Sequence, residues 1–223
     1  MSKKPLKISE RKQLEEVMQR KRKSIETLHR LPPYTVIFSE GTKTEPHYIQ
    51  GFTKQINSKY APYVRQDRII VIGTGRSTQS LLEYARKIVT RSYPDCKEVW
   101  LMYDKDDFPS DGFDNTQFSA EAEISKPKYH VAWSNECIEL WFVLHFQKLF
   151  AHVSREQYQD ILNRYFPYEK NLENIYDLLK DNTEIAISHA KELYSSHEAD
   201  APPSQRTPAT RVHELVMFLQ EYL

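Results

Sequence analysis

The sequence predicts an α/β fold: a parallel sheet of about four strands flanked by helices, with a helical arm before it and a helical extension after it. Four short runs rich in β-branched and aromatic residues alternate with segments of helical periodicity. Strands joined through helices pair in parallel by right-handed crossovers. Polar or glycine-rich turns follow all four runs, and parallel sheets bind ligands beyond the carboxyl ends of their strands. The pattern therefore predicts a ligand site at one rim of the sheet.

Composition and proline positions divide the 223 residues into three parts. Residues 1–31 are predicted to form a basic helical arm, which Pro32 and Pro33 end because proline lacks a backbone donor and restricts the residue before it. Residues 32–150 contain the predicted strands and form the main domain. Residues 151–223 are predicted to form a C-terminal helical extension packed on that domain.

The net charge is zero, with 31 basic and 31 acidic residues, but the charges are unevenly distributed. Residues 1–30 carry ten Lys or Arg and four Asp or Glu, which leaves 21 and 27 for residues 31–223. A basic arm on an acidic body suits binding to nucleic acid or to an acidic partner, since Lys and Arg displace phosphate counterions. A solvated helix without a ligand explains the same charges.

The two cysteines, Cys96 and Cys137, indicate neither a disulfide framework nor a zinc site, because they lack the spacing of either. This favours a reducing compartment. The N-terminus has no apolar core of the kind a signal peptide needs, and no run approaches the roughly 18 apolar residues of a membrane span. We therefore expect a cytoplasmic protein without a membrane partner.

The first predicted strand, residues 34–38, leads into an acid and a glycine, Glu40 and Gly41. Gly41 permits a tight turn, and Thr44 is the predicted N-cap of a following helix. Glu45 lies in the first turn of that helix. It either complements the helix dipole or joins Glu40 at one site.

The second predicted strand, residues 68–72, is followed by a glycine-rich turn and a helix. Such a turn exposes backbone N–H groups that hold phosphate, and an arginine adds a fork of donors. A tight turn with a serine N-cap explains the same residues. The turn matches neither a Walker A loop nor a complete dinucleotide fingerprint, so neither an ATP nor an NAD site is predicted. The candidate phosphate-binding residues here are Gly73, Gly75, Arg76 and Ser77.

The third predicted strand begins at residue 99 and ends in three acids, Asp104, Asp106 and Asp107. In an extended segment Asp104 and Asp106 project to the same face. Two adjacent carboxylates repel each other unless a cation neutralises them, and a hard divalent metal such as Mg²⁺ takes oxygen ligands. A solvated acidic turn is the alternative interpretation.

The fourth predicted strand, residues 129–133, follows a predicted helix over residues 117–124 and ends in Ser134 and Asn135. Polar clusters thus follow all four strands on one rim. A Mg²⁺ site for phosphoryl chemistry needs such a rim, because one or two metal ions hold a phosphodiester and lower the pKa of an attacking water. The serines near the strand ends lack a nucleophile-elbow pattern, so a catalytic triad is not predicted.

At this predicted rim Asp104 and Asp106 are the natural metal ligands, and Glu40 either ligates the metal or shuttles a proton. Further along the chain, an apolar segment over residues 138–146 predicts a buried helix in which Glu139 needs a hydrogen-bond partner or a metal. Helical segments are predicted through residues 154–197. Thr210 is the predicted N-cap of a closing helix.

Four sequence blocks follow one another along the chain. They are Glu40-Gly41-Thr42-Lys43-Thr44-Glu45-Pro46, Tyr103-Asp104-Lys105-Asp106-Asp107, Ser134-Asn135-Glu136-Cys137-Ile138-Glu139-Leu140-Trp141 with Leu144-His145-Phe146, and Pro208-Ala209-Thr210 before Val212. The first two resemble the Toprim domain of topoisomerases, primases and overcoming-lysogeny-defect nucleases, and all four resemble the RloB family. The resemblance covers roughly residues 34–222. Glu136 departs from it, because a proline is expected there.

The resemblance implies a Toprim-type, Mg²⁺- or Mn²⁺-dependent nuclease of bacterial restriction, abortive-infection and antiphage loci, with residues 32–150 as its catalytic domain and an ATPase as its partner. The missing Walker motif agrees with an ATPase on a separate chain. Glu40 is then the expected general acid/base, with Asp104 and Asp106 as metal ligands. Supporting candidates for metal binding are Glu45, Asp107 and Glu139. Candidates for nucleic-acid binding within the same blocks are Lys43 and Lys105.

Two other classes of function stay open at this point. A non-catalytic nucleic-acid-binding or scaffold subunit would bind metal through these acids without turnover. A nucleotidyl transferase would extend a product instead of cleaving it. The identity of the substrate stays open as well, because DNA, tRNA and other RNA present the same phosphodiester, and so does assembly into a homo-oligomer.

Overall fold

The computed structural model describes residues 8–107 and 109–223, and the predicted α/β class is confirmed. Four parallel strands and one short antiparallel strand form a single sheet. The strands are β1 (Thr35–Ser39), β2 (Ile69–Gly73), β3 (Glu98–Asp104), β4 (Lys128–Asn135) and β5 (Ala209–Thr210). Their order is β2-β1-β3-β4-β5, which places β1 and β3 side by side in the interior of the sheet.

Helices precede, connect and follow these strands. Within the described residues they are α1 (Ile8–His29), α2 (Thr44–Tyr60), α3 (Thr78–Ser92), α4 (Ser110–Glu121), α5 (Glu139–Val143), α6 (Arg155–Leu162), α7 (Ile175–Leu179), α8 (Thr183–Ser195) and α9 (Val212–Gln220). The regular structure of the C-terminal extension is therefore helical, as predicted, apart from the two residues of β5, and loops such as residues 163–174 join its helices.

Helices cover both faces of the sheet, because successive strand residues point to opposite sides. Ile37, Trp100 and Ala132 face one core, which is completed by α2 and by the helices from α5 to α9. Val36 and Leu101 face the opposite core, which is completed by α3 and α4. Burial on both faces explains why the strands are continuous apolar runs in the sequence.

The helix predicted over residues 117–124 is wrong in its boundaries. α4 begins at Ser110, directly after Pro109, and ends at Glu121. Its buried face consists of Phe113, Thr116 and Ala120, a spacing that begins before the predicted start. Ile124, which the prediction included, lies beyond the helix and is fully exposed.

Two further boundaries differ in the C-terminal part. The buried helix predicted over residues 138–146 is shorter, since α5 covers Glu139–Val143. The expectation that Thr210 caps the closing helix is wrong, because Thr210 belongs to β5 and the N-cap position is Arg211. The hydroxyl oxygen of Thr210 still accepts a hydrogen bond from the N–H of Val212 at 3.2 Å, so the expected side-chain contact with the helix start is present.

The predicted helical arm is present as α1, and residues 1–7 of the prediction lie outside the described residues. Four of its apolar side chains, all within the described residues, are about half exposed, between 50% and 54%. They are Leu14, Val17, Met18 and Ile25. Within the described part of the chain, no helix combines the length and the apolar character needed to cross a bilayer.

Gly73, the last residue of β2, packs against the loop that follows β1. A Cβ at this position would lie 2.8 Å from Thr42 Cα and 2.9 Å from the carbonyl oxygen of Gly41. Both are backbone atoms, so Gly73→Ala should displace the loop. We expect it to lower the free energy of unfolding by about 1–3 kcal/mol, measured by urea denaturation.

Gly112 in α4 provides the matched control. The nearest atom to a Cβ there lies 3.7 Å away, which is ordinary contact distance. Gly112→Ala should raise the free energy of unfolding by roughly 0.5–1 kcal/mol, because alanine is the better helix former. Equal destabilisation by Gly73→Ala and Gly112→Ala would contradict the close approach at Gly73.

Candidate functional site

The carboxyl ends of β1 and β3 bring Glu40 beside Asp104. Ser39 pairs with Met102 in the sheet, and the N–H of Glu40 continues this pairing by donating to the carbonyl oxygen of Met102 at 2.8 Å. The carboxyl group of Glu40 accepts a hydrogen bond from the backbone N–H of Asp104. The two acids that the sequence assigns to separate strand ends therefore lie together.

A cleft of about 280 Å³ opens at this rim, several times the roughly 30 Å³ that one water molecule occupies in the liquid. Strand ends, helix starts and loops of the C-terminal extension all contribute to its lining. The acids that line it are Glu40, Glu45, Asp104, Asp106 and Glu139, and the cationic residues are Lys43, Arg155 and Lys170. Carboxyl groups therefore outnumber cationic groups around the cleft.

Asp104 lies at the last position of β3, where protein atoms surround its carboxyl group although solvent reaches part of the residue. The N–H of Ile138 donates to its Oδ2 at 3.2 Å, so the start of α5 fixes one oxygen. Burial raises the pKa of Asp104 well above its usual value, and the charges of Glu45 and Glu139 raise it further. A nearby cation would relieve this repulsion.

Burial likewise raises the pKa of Glu40, to about 7. The hydrogen bond from Asp104 and the charge of Arg155 act in the opposite direction, while Glu45 adds to the rise. The Oε2 atom of Glu40 is buried and has no hydrogen-bond partner among the described residues. Glu40 therefore combines an unused hydrogen-bonding position with a pKa near neutrality.

Glu45 and Glu139 are the most deeply buried acids of the cleft, 7% and 3% exposed. The hydroxyl of Tyr168 donates to Glu139 Oε1 at 2.9 Å. Burial raises the pKa of Glu45, as does the charge of Glu139, whereas Lys170 lowers it. The Glu45 carboxyl group lies against Gly41, where an added Cβ would be only 2.0 Å from Oε2. Glu45 thus belongs to the acidic cluster as well as to the first turn of α2.

Asp106 reaches the cleft through a turn. The expectation that an extended strand would align it with Asp104 is wrong, because β3 ends at Asp104 and Asp106 has a φ of 39°. Aspartate tolerates this left-handed conformation better than most residues. The N–H of Asp106 donates to the carbonyl oxygen of Glu136 at 3.1 Å, and its Oδ1 forms an ion pair with Arg155. Both aspartates line the same cleft for a reason other than strand alternation.

Two candidate residues of this turn do not line the cleft. Asp107 is exposed and borders an adjacent groove together with Asp106, Glu136 and Arg155. The ammonium group of Lys105 donates to the carbonyl oxygen of Asp106 at 3.4 Å. The structure therefore does not bring Asp107 together with Asp104 as a pair of ligands.

The glycine-rich turn after β2 is closed by its own hydrogen bonds. The N–H groups of Thr74 and Gly75 donate to carbonyl oxygens at the end of β1, each at 2.9 Å. The N–H of Arg76 donates to Thr74 Oγ1 at 3.2 Å, and its guanidinium lies 4.3 Å from the centroid of the Tyr84 ring. Ser77 occupies the N-cap position of α3. These three N–H groups are therefore not open to bind a phosphate, and the tight-turn interpretation describes the segment. Gly75 nevertheless lines the cleft.

The C-terminal extension contributes side chains that the sequence analysis did not identify. Arg155 begins α6, and Lys170 and Asn171 lie in the loop before α7. The hydroxyl of Thr44 donates to Asn171 Oδ1 at 3.2 Å, so this loop is tied to the start of α2. Thr44 is the first residue of α2, and the N-cap position that we predicted for it belongs to Lys43. No local sequence signal marks these residues, because only the tertiary fold brings them to the rim.

The oxygen donors of the cleft suit a divalent metal that takes some of its ligands from the protein and the others from water and a substrate. Within residues 8–107 and 109–223, no three His, Cys, Asp or Glu side chains converge closely enough to hold a metal ion alone. Mg²⁺ commonly uses one or two carboxylates and completes its shell with water and substrate phosphate. Asp104 and Asp106 line the cleft and could provide these two carboxylates. Glu45 and the Glu40 oxygen that has no partner among the described residues lie in the same cleft.

A family model described as RloB-like protein matches residues 35–219, which is most of the chain. This range includes both strand ends and all residues that line the cleft. No curated protein and no solved structure is significantly similar to the chain.

The raised pKa of Glu40 makes its ionisation unfavourable for folding when no metal is bound. Below pH 4.5 the Glu40 carboxyl group is mostly neutral in both the folded and the unfolded chain. Between pH 4.5 and about 7 it ionises in the unfolded chain but stays mostly neutral in the folded one, so the free energy of unfolding falls as the pH rises. Glu40→Gln should remove this loss. In EDTA at pH 8 we expect a gain of about 1–2 kcal/mol in unfolding free energy, allowing for solvent screening, and no gain at pH 4.

Urea denaturation of wild type and Glu40→Gln at both pH values measures this difference. Glu83→Gln, at an exposed position of α3, is the matched control and should show no pH-dependent gain. A gain from Glu40→Gln of the same size at pH 4 and pH 8 would contradict the raised pKa.

Proposed function

Because the chain belongs to the RloB-like family, we propose that it is a Toprim-type, Mg²⁺-dependent nuclease that hydrolyses phosphodiester bonds of DNA or RNA. One observation carries the proposal: Glu40 and Asp104, from neighbouring parallel strands, meet at the floor of a cleft with three further acids. Carboxylates that converge from separate strands at the ligand-binding rim suit metal-assisted phosphoryl chemistry.

Glu40 is the proposed general acid/base. A group with a pKa of about 7 accepts and returns a proton readily near neutral pH. Its Oε2, without a partner among the described residues, has a hydrogen-bonding position left for water or for the leaving oxygen. The role that the family resemblance implies for Glu40 thus agrees with its surroundings.

Asp104 and Asp106 are the proposed ligands of the divalent cation. Ile138 fixes Oδ2 of Asp104, which leaves Oδ1 for a cation. Glu45 and Glu139 surround this position with negative charge, which favours a cation there. Mg²⁺ or Mn²⁺ bound here would supply charge stabilisation to the phosphodiester oxygens.

The cationic residues of the cleft support a nucleic-acid substrate. Lys43, Arg155 and Lys170 line the same cleft as the acids and can contact the phosphates on either side of the cleaved bond. Phosphate contacts position a strand without reading its sequence. They therefore support DNA, tRNA and other RNA equally as substrates.

An ATPase subunit encoded alongside and a role in antiphage defence, as in abortive infection, belong to the same proposal, with action in the cytoplasm. Family membership supports them. The sequence contains no Walker A loop, so ATP hydrolysis, if the reaction needs it, would come from the partner chain.

A non-catalytic nucleic-acid-binding or scaffold subunit is the second candidate. Two observations favour it: Asp106 is already neutralised by Arg155, and no three ligating side chains converge among the described residues. A cleft of this kind would bind a phosphate strand without cleaving it. In that case Glu40→Gln would leave biological activity intact.

Removal of a single carboxylate tests the two candidates. Wild type, Asp104→Asn and Glu40→Gln would be incubated with Mg²⁺ or Mn²⁺ and supercoiled DNA, single-stranded DNA or total tRNA, with and without the neighbouring ATPase and ATP. We expect cleavage by wild type and at least about a 100-fold lower rate for either variant, because each removes a metal ligand or the proton-transfer group.

Asp111→Asn, at an exposed position of α4, is the matched control and should cleave like wild type. Circular dichroism of all four proteins excludes unfolding as the cause of a lost activity. Equal cleavage by wild type and Asp104→Asn would contradict the proposed site. No cleavage under any condition, with nucleic acid still bound, would favour the scaffold function.

A further inference from the structure

Arg155 places a guanidinium group between two sets of acids. It pairs with Asp106 Oδ1 on the rim of the cleft, and its charge also lowers the pKa of Glu40. In the adjacent groove it lies with Asp106, Asp107, Glu136 and Glu156. A positive side chain therefore occupies the surroundings of a candidate metal ligand.

The backbone at Arg155 is well anchored, whereas the ion pair is open to solvent. Ser154 and Gln157 form a capping box at the start of α6: Ser154 N–H donates to Gln157 Oε1 at 2.8 Å, and Gln157 N–H donates to Ser154 Oγ at 3.4 Å. The side chains of Arg155 and Asp106 are 39% and 31% exposed. Ion pairs that solvent reaches are weak, so this guanidinium can leave Asp106 without disturbing α6.

We propose that Arg155 is the resident counter-ion of Asp106 and competes with the divalent cation for this carboxylate. The inference rests on the proposed metal site. Without metal, the guanidinium neutralises Asp106; when the cation binds, the guanidinium is displaced toward the cleft. There its planar fork of donors suits a phosphate oxygen pair as well as it suited the carboxylate. Arg155 thereby lowers the metal affinity of the free protein and retains a donor for the substrate.

Mn²⁺ binding measures this competition directly and needs no turnover. The signal of free Mn²⁺ in electron paramagnetic resonance would be followed during titration of full-length protein at pH 7.5. Arg155→Gln should bind Mn²⁺ about two- to five-fold more tightly than wild type, because the competing charge is removed. Arg155→Lys keeps the charge and should stay close to the wild-type affinity.

Thermal melts provide a second readout. In EDTA, Arg155→Gln should melt below wild type, since Asp106 loses its partner. Saturating Mn²⁺ should reduce this difference, because the metal then neutralises Asp106 in both proteins. Arg164→Gln removes the same charge at an exposed position that does not line the cleft, so it should change neither readout.

The outcomes separate the counter-ion role from the metal site itself. Equal Mn²⁺ affinity of wild type and Arg155→Gln, with binding lost in Asp104→Asn, would overturn the counter-ion role and leave the metal site in place. An Arg155→Lys affinity equal to that of Arg155→Gln would overturn it as well, since charge would not be the cause. No Mn²⁺ binding by either wild type or Arg155→Gln would overturn the metal site and the counter-ion role together.

Discussion

Repulsion among the carboxyl groups at the ends of β1 and β3 is the constraint on which the surrounding structure depends. Burial disfavours the charged forms of Asp104 and Glu45 there, and neighbouring like charges add to the effect. Asp104 is affected by three other acids at once. Neighbouring groups offset part of this cost: the N–H of Ile138 bonds to Asp104, the hydroxyl of Tyr168 bonds to Glu139, and cationic side chains line the rim.

The meeting of Glu40 and Asp104 could be predicted from the sequence, because parallel strands of an α/β sheet end at one rim whatever their side chains. The four parallel strands could be predicted as well, because each is recognisable in the sequence as an apolar run. β5 could not be predicted, since two residues carry no periodic pattern. The position of Asp106 also escaped prediction, because it depends on a left-handed turn and on a hydrogen bond to Glu136.

The sequence left the glycine-rich turn with two interpretations and did not identify Arg155 and Lys170 of the cleft, because their roles depend on contacts between distant segments. A glycine pattern fits both an open phosphate cradle and a closed turn. Here Gly73 lets the loop after β1 approach β2 closely, and the N–H groups of Thr74 and Gly75 then find carbonyl partners in β1 and the residue after it. Arg155 and Lys170 reach the rim because the extension packs into the core shared with α2 and α5, a packing that helical periodicity alone does not specify.

The exposure of the pair formed by Arg155 and Asp106 decides whether a protein cation and a metal can share one carboxylate. Five carboxyl and three cationic side chains line the cleft, so the carboxyl groups that are ionised oppose an approaching phosphate until further positive charge arrives. A protein cation that never left would attract phosphate but exclude the metal. In a buried ion pair, loss of one partner costs about 3–5 kcal/mol, which would hold the carboxylate against exchange. Because the side chains of Arg155 and Asp106 are 39% and 31% exposed, water can solvate both as they separate. The ion pair can therefore neutralise Asp106 in the absence of metal and still break when a divalent cation binds Asp106.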